Sequence, residues 1–341
     1  MRLTLVDCTL RDGGNYNNWA FPETQVSRIV SALDAGRVDV IEVGYRGGSG
    51  SNKATNVGVT AHCPADFLNR LPPLAHARIA VQAVPTVCPL ELLDDLADTP
   101  TQLVRIATYP HNFAGALPAL ERVKQIGLDT SLNLMSASYV EPEDAAAMAQ
   151  RAEAAGADAF YMADSFGALI PDTVERLVAA VRAATTLPIG YHGHNNLGLA
   201  FANALAAIRA GATWLDTSLC GLARGAGNLP TEQLVGAAQR WSLLELDTQL
   251  EPTIAAAELV LSEILSEPMR IAEAEIESGV FNLHYYYHRL VREKARAAGV
   301  DRQLVLSALE RLRPPSVDVS YLDQVIEELR APVARSRVGA S

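Results

Sequence analysis

The chain has 341 residues, 49% of them hydrophobic, a net charge of −11 and a mean hydropathy of +0.09. That length and apolar content call for one large domain with a smaller appendage, since barrels of about 250 residues routinely form a single unit. The acidic balance, with no basic cluster before the mixed C-terminal tail, excludes the electrostatic footprint of a nucleic-acid binder, and no apolar run reaches the roughly 18 residues of a membrane span.

The amino terminus already reads as a strand and lacks a signal-peptide core, so a cytoplasmic location is expected. The first strand, "LTLVDCT" (3–9), runs into Arg11, Asp12 and a glycine pair in "VDCTLRDGGNYNNW". A helix over 24–36 follows, then a strand over 38–45 that carries Glu42. The next piece, "GYRGGSGSN" (44–52), has the wrong spacing for a dinucleotide loop and is expected to be a mobile lid over the site. Further strands are predicted at 78–84, 103–109, 129–135, 158–164, 188–194 and 213–219. Helices at 142–156, 171–184 and 199–211 carry apolar residues at spacings of three and four. Two of these begin with the proline favoured in a first turn. From about residue 250 the text is helical, over 253–276, 283–300, 302–312 and 320–329, and the end from 331 is expected to fray.

Eight β/α units could form an open doubly wound sheet or a closed barrel. No G-x-G-x-x-G follows the first strand, so the expected fold is α/β, a (β/α)8 TIM barrel over 1–248 with a helical region over 249–341. Cysteines 8, 63, 88 and 220 lack zinc or redox spacing. They read as small buried residues, with Cys220 kept as a candidate for the site.

Chemistry concentrates at the predicted carboxyl ends of the strands. His192 and His194 stand at i and i+2, so both imidazoles project to one face of their strand. Such a pair argues for a metal ion, and Asp12, on the strand that closes the barrel beside them, supplies a carboxylate. Asn228, in "GAGNLPTEQL", offers a further oxygen. This mixed N/O set suits Mn2+ or Mg2+, with Co2+, Fe2+ or Zn2+ also accommodated. Glu42 is expected to grip Arg11 in a fork-to-fork pair. Asp164 and Ser165, at the end of the sixth strand, are expected to shape the pocket.

These residues also carry a likeness. The stretches "DCTLRDGG", "IEVG" and "YHGHNNLGLAFANALAAIRAGATWLDTSLCGLARGAGNLPTEQLV" resemble the DRE-TIM metallolyases. That superfamily includes 4-hydroxy-2-oxovalerate aldolase, 3-hydroxy-3-methylglutaryl-CoA lyase and the isopropylmalate and homocitrate synthases. The resemblance implies that Arg11 stabilises an enolate and Glu42 orients Arg11. It also implies that Asp12, His192, His194 and Asn228 hold a divalent metal. The condensing synthases carry "DGEQ" where this chain has "DGGNYNNW", and the helical ending matches the 4-hydroxy-2-oxoacid aldolases, so that subgroup is the closer one.

One position departs from the pattern. Those aldolases place a catalytic histidine three residues after the metal-binding aspartate, and here that residue is Asn15, which cannot take up a proton near neutral pH. Proton transfer then falls to Tyr16, Tyr45, metal-bound water or a residue of "HYYYH" (284–288). His284 and His288 stand at i, i+4 on one face of a predicted helix, where packing is the other role open to them. A Schiff-base mechanism needs a lysine at a strand end, but Lys124 and Lys294 fall in predicted helices and Lys53 in the lid.

The expected activity is a metal-dependent aldolase that makes or cleaves 4-hydroxy-2-oxo acids, with Arg11, Asn15 and Tyr45 contacting a 2-oxo acid and an aldehyde as the second substrate. The alternatives are a Claisen-type acyl-CoA condensing enzyme and a non-catalytic homologue. A homo-oligomer, a dimer, is expected, and the resemblance adds an aldehyde dehydrogenase as a candidate partner. The aromatic stretch 281–288 could face that partner, a second copy or the barrel itself.

Overall fold

The structure is a computed structural model that describes residues 2–49, 56–242, 244–284, 286–314 and 317–330. Lys53, residues 50–52 of the expected lid and the expected frayed end lie outside the described residues. Eight parallel strands close in sequence order, β1 (Thr4–Asp7), β2 (Val40–Arg46), β3 (Arg78–Ala83), β4 (Thr101–Thr108), β5 (Asp129–Leu134), β6 (Ala159–Asp164), β7 (Ile189–Gly193) and β8 (Trp214–Thr217). β1 pairs with both β2 and β8, Val6 lying opposite Val40 on one side and Asp216 on the other. The (β/α)8 TIM barrel expected from the alternation is what forms. Most of these strands are buried along nearly their whole length, as in a sheet covered on one side and filled on the other.

The helices are α1 (Gly14–Asn17), α2 (Glu23–Ala35), α3 (Ala65–Leu68), α4 (Phe113–Gln125), α5 (Pro142–Ala154), α6 (Pro171–Ala184), α7 (Ala200–Ala210) and α8 (Thr231–Trp241). They continue as α9 (Leu250–Glu263), α10 (Glu273–Val280), α11 (Tyr286–Ala298), α12 (Arg302–Leu312) and α13 (Val319–Arg330). Pro142 and Pro171 open α5 and α6, where a missing N–H costs nothing. The connections after β2 and β3 are made instead by α3 and by 3-10 turns over Val59–Ala61 and Leu90–Asp98.

The helix read over 253–276 breaks into α9 and α10 around Pro268, which cannot continue a hydrogen-bonded ladder. Ala256, Ala257 and Val260 of α9 belong to the same apolar core as the barrel helices. α11, α12 and α13 form a second core around Leu283, Val291, Leu306, Leu309 and Leu322.

The first strand stops earlier than its sequence suggests, at Asp7 rather than Thr9. The Asp7 carboxylate accepts the Thr9 amide at 2.9 Å, an Asx-type turn that pulls the chain out of the sheet. Its other oxygen accepts the Thr231 hydroxyl at 2.8 Å, tying this turn to the start of α8. Arg11 and Asp12 therefore sit in a loop beyond the strand. The glycines after them are required by close approach: a Cβ on Gly13 would stand 2.1 Å from the Thr9 carbonyl oxygen, and one on Gly14 1.9 Å from the Trp19 ring.

Burial pushes the Asp7 carboxyl up to about 6, against the hydrogen bonds of Thr9 and Thr231 that lower it. The folded chain thus holds this proton at pH values where the unfolded chain has lost it. The resulting stabilisation is complete below about pH 4 and is lost as the pH rises through about 6, to the extent of about 3 kcal/mol. Asp7→Asn keeps the shape without the titration. Urea unfolding from pH 4 to 6.5 is expected to give a flatter stability curve for Asp7→Asn than for the parent.

Candidate active site

Arg11 and Asp12 are aimed by the turn just described. The fully buried Trp19 donates its indole N–H to the Arg11 carbonyl at 2.7 Å and packs edge-on to Tyr45, ring centroids 5.6 Å apart. Arg11 Nε donates to Glu42 Oε2 at 2.7 Å, and Arg11 Nη1 lies 3.2 Å from Asp12 Oδ1. The expected fork-to-fork pair is thus a single-point contact. Glu42 Oε2 is shared with Arg105 Nη1 at 3.0 Å, and Oε1 has no partner among the described residues.

From Arg105 the contacts continue around the barrel. Its Nη2 grips both oxygens of Asp216, at 2.9 and 2.7 Å, and its guanidinium lies over the Tyr161 ring, 4.4 Å from the centroid. Asp216 Oδ2 meets His192 Nδ1 at 3.0 Å. Burial raises the Asp216 carboxyl, but Arg105 and then His192 outweigh it and bring it down to about 2. An ionised carboxylate only accepts, so His192 carries its proton on Nδ1 and turns the bare Nε2 inward.

Nε2 of His192 lies 3.5 Å from Nε2 of His194, and each lies 3.6 Å from Asp12 Oδ2. His194 likewise presents a lone pair at Nε2, because that atom accepts Arg224 Nε at 3.2 Å. Burial, then the Arg224 charge, hold His194 well below the ordinary histidine range. Burial also raises Asp12, but the Arg11 charge outweighs it and keeps the carboxyl well below the usual range. Three ionised or lone-pair donors therefore converge on one point.

These three fit a divalent ion. A point at the centre of their triangle is about 2.1 Å from each donor, within the usual ligand distances. An isolated bridge between His194 and Asn228 brings the asparagine alongside, where Nδ2 donates to Asp12 Oδ2 at 2.9 Å. Asn228 Oδ1 is buried without a partner among the described residues, and that orphaned oxygen is what a cation would satisfy.

The remaining expected residues divide. Asn15 lines the cavity and donates to the Asp12 carbonyl at 3.0 Å. Tyr45 lines it too, its hydroxyl pushed up to about 12 by burial. Ser165 lines it and accepts the Ser136 amide at 2.9 Å. Asp164 stands behind, accepting the amides of Ala168 and Leu169 at 3.1 and 3.0 Å, so it shapes the loop. Tyr16 turns away, 42% exposed, with its hydroxyl 2.8 Å from Ser266 Oγ. Cys220 leaves the site altogether and donates to the Ala257 carbonyl. The start of the expected lid is anchored, Arg46 donating to the Cys63 and Leu92 carbonyls, while Ser49 reaches the cavity.

His284 and His288 do not share a helix face as their spacing suggested. His288 lies within α11 and meets Glu277 at 3.1 Å, whereas His284 precedes the helix and hydrogen-bonds to Arg224. Sequence reading missed Arg105, Asp216 and Arg224. Arg105 and Asp216 carried one signal, a charge inside an otherwise apolar strand. Arg224 carried another, a lone cation among small residues in "GLARGAGN".

A family model described as HMGL-like matches residues 2–260. The chain is similar to a 4-hydroxy-2-oxovalerate aldolase of Geobacillus genomosp. 3, 31% identical over 98% of both chains. It is similar to an oxaloacetate decarboxylase of Mycobacterium tuberculosis (strain ATCC 25618 / H37Rv), 36% identical over 69% of this chain and 70% of that one. Among solved structures, the N-terminal domain of a putative aldolase from Bacteroides vulgatus superposes with a TM-score of 0.73 at 27% identity. That superposition covers 86% of this chain and 97% of the other.

Removing one member of a buried charged network strands its partners. Arg105→Met fills a similar volume but leaves Glu42 and Asp216 facing each other, and is expected to destabilise the fold by about 3–5 kcal/mol in denaturant titration.

Proposed function

The chain belongs to the HMGL-like family, and from that premise we propose a divalent-metal-dependent aldolase that makes or cleaves 4-hydroxy-2-oxo acids through a pyruvate-type enolate. That it is an enzyme, a carbon–carbon lyase, follows from relatives named aldolases that match nearly its whole length. One observation carries the finer reading: Asp12, His192 and His194 converge on a single point beside an arginine whose orientation Glu42 fixes.

A divalent ion held by Asp12, His192, His194 and the Asn228 amide oxygen supplies Lewis-acid polarisation of a 2-oxo acid. Mn2+ or Mg2+ suits that mixed set best, with Co2+, Fe2+ or Zn2+ within its range. Arg11 has committed Nε to Glu42 and Nη1 to Asp12, so its remaining N–H groups are what it offers to the enolate oxygen. Those donors are preorganised, and their alignment costs nothing when charge develops. Asp216 keeps His192 in one tautomer, and Ser165 and Tyr45 bound the cavity. Asn15, in the place of the expected base, holds the Asp12 turn by its amide. Tyr45 stays protonated at neutral pH and can donate, while Tyr16 lies outside.

A second reading, loss of CO2 from oxaloacetate, forms the same enolate and is favoured by the relative of that name. The decisive assay is exchange of the pyruvate methyl protons in deuterated water, followed by cleavage assays. Exchange and retro-aldol cleavage are expected with Mn2+ and are expected to vanish with a chelator. Exchange that survives metal removal would reject the proposal. Product from pyruvate plus acetyl-CoA would favour the Claisen alternative instead, and release of CO2 from oxaloacetate without aldol cleavage would favour the second reading.

The His192–Asp216 contact yields a separate expectation. Asp216→Asn removes the acceptor that fixes the tautomer and is expected to weaken Mn2+ binding by about 10- to 100-fold in equilibrium dialysis.

A further inference from the structure

Arg224, half-buried, enters the cavity from the loop after β8, and its surroundings differ from those of the buried arginines. Arg11, Arg46 and Arg105 each grip a carboxylate, on Glu42, Asp95 and Asp216 respectively. Arg224 donates Nε to His194 Nε2 at 3.2 Å and Nη2 to the Ser165 carbonyl at 2.6 Å, and Nη1 meets His284 Nε2. A guanidinium only donates, so each of the three partner atoms accepts through a lone pair, and none belongs to a carboxylate. Among the described residues no carboxylate lies within ion-pairing distance of this guanidinium.

Two further constraints bear on it. Nε2 of His194 has one lone pair, which can serve the Arg224 N–H or a metal ion but not both. Once that lone pair is taken, the half-buried Arg224 N–H needs another acceptor, since a desolvated donor left unpaired is costly. Charge gives the second constraint. Arg11, Arg105 and Arg224 balance Asp12, Glu42 and Asp216, so a bound divalent ion leaves the site with an excess of two positive charges. A monoanionic 2-oxo acid neutralises one of them. Arg224 and Asn15 line both the inner cavity and an adjoining outer cleft, so a substrate extending outward from the metal point passes the guanidinium.

We propose that Arg224 receives a second carboxylate on C4 of the substrate, so that this site takes dicarboxylic 4-hydroxy-2-oxo acids. The proposal rests on the aldolase reading above and deepens it. In the cleavage, the C3–C4 bond breaks and its electron pair stays on the three-carbon fragment as the pyruvate enolate. The C4 hydroxyl loses its proton as the aldehyde forms, and one proton returns to C3. The C4 carboxylate passes unchanged into the aldehyde acid, so 4-hydroxy-2-oxoglutarate yields pyruvate and glyoxylate.

The test compares 4-hydroxy-2-oxoglutarate with 4-hydroxy-2-oxopentanoate, which differ only by carboxylate against methyl on C4. The parent is expected to favour the dicarboxylate by about 100-fold in kcat/KM. Arg224→Gln is expected to erase most of that ratio, chiefly through KM, and Arg224→Lys to retain part of it. Binding is read independently by calorimetry of the Mn2+-loaded protein with the unreactive analogues 2-oxoglutarate and 2-oxopentanoate. The parent is expected to prefer 2-oxoglutarate by at least about tenfold, and Arg224→Gln to lose that preference.

A parent that does not favour the dicarboxylate, or a preference that Arg224→Gln leaves unchanged, would overturn the assignment. Failure to cleave either substrate, with an Arg224-dependent preference for 2-oxoglutarate intact, would reject the aldolase reading and leave the carboxylate site standing. No cleavage and no preference would reject both.

Discussion

A closed circuit of charged and hydrogen-bonding groups inside the barrel mouth organises this molecule. It runs from Arg11 to Glu42, Arg105, Asp216, His192 and Asp12, and returns to Arg11 through contacts of 2.7 to 3.6 Å. Its members come from the turn after β1 and from β2, β4, β8 and β7, so the circuit exists only when the barrel is closed. Burying these charges is expensive, and their attraction repays that cost only if every partner is in place. The apolar packing between strands and outer helices stabilises the fold around this polar interior.

The circuit also determines what the site can do. The groups aimed at the cavity are held by neighbours: Arg11 by Glu42, His192 by Asp216, and both of those by Arg105. Rotamers locked in this way keep donors aimed before any ligand arrives, which is where electrostatic catalysis gains most. Outside the circuit, Trp19 and the two glycines hold the Arg11–Asp12 turn, and Asp164 gathers the amides of the loop that presents Ser165. Arg224 stands apart from this scheme. Its partners are a carbonyl and two neutral rings, one of them delivered by the C-terminal helical region through His284.

Sequence legibility followed physical range. The alternation of strand and helix is a local property, so the eight β/α units, the proline starts of α5 and α6, and the span of α12 could be read directly. His192 and His194 were legible as a pair because i and i+2 share a strand face whatever the fold. The early end of β1 was less visible, because an Asx turn at Asp7 competes with an apolar run that looks like continuing strand. His284 was placed on a helix by its spacing with His288, but α11 begins two residues later and the imidazole turns toward Arg224.

By itself the sequence determined the fold class and the placing of His192 and His194 on one strand face, since both depend on local periodicity, and its resemblance to the aldolases marked Asn15 as a departure. The tertiary structure decided which charges are neighbours. Arg105 and Asp216 lie 111 residues apart, and Asn228 and Asp12 lie 216 apart, so nothing local marks either pair. A charge on an inward strand position takes as its partner whatever side chain barrel closure sets opposite it, and only closure reveals that Arg224 meets no carboxylate among the described residues.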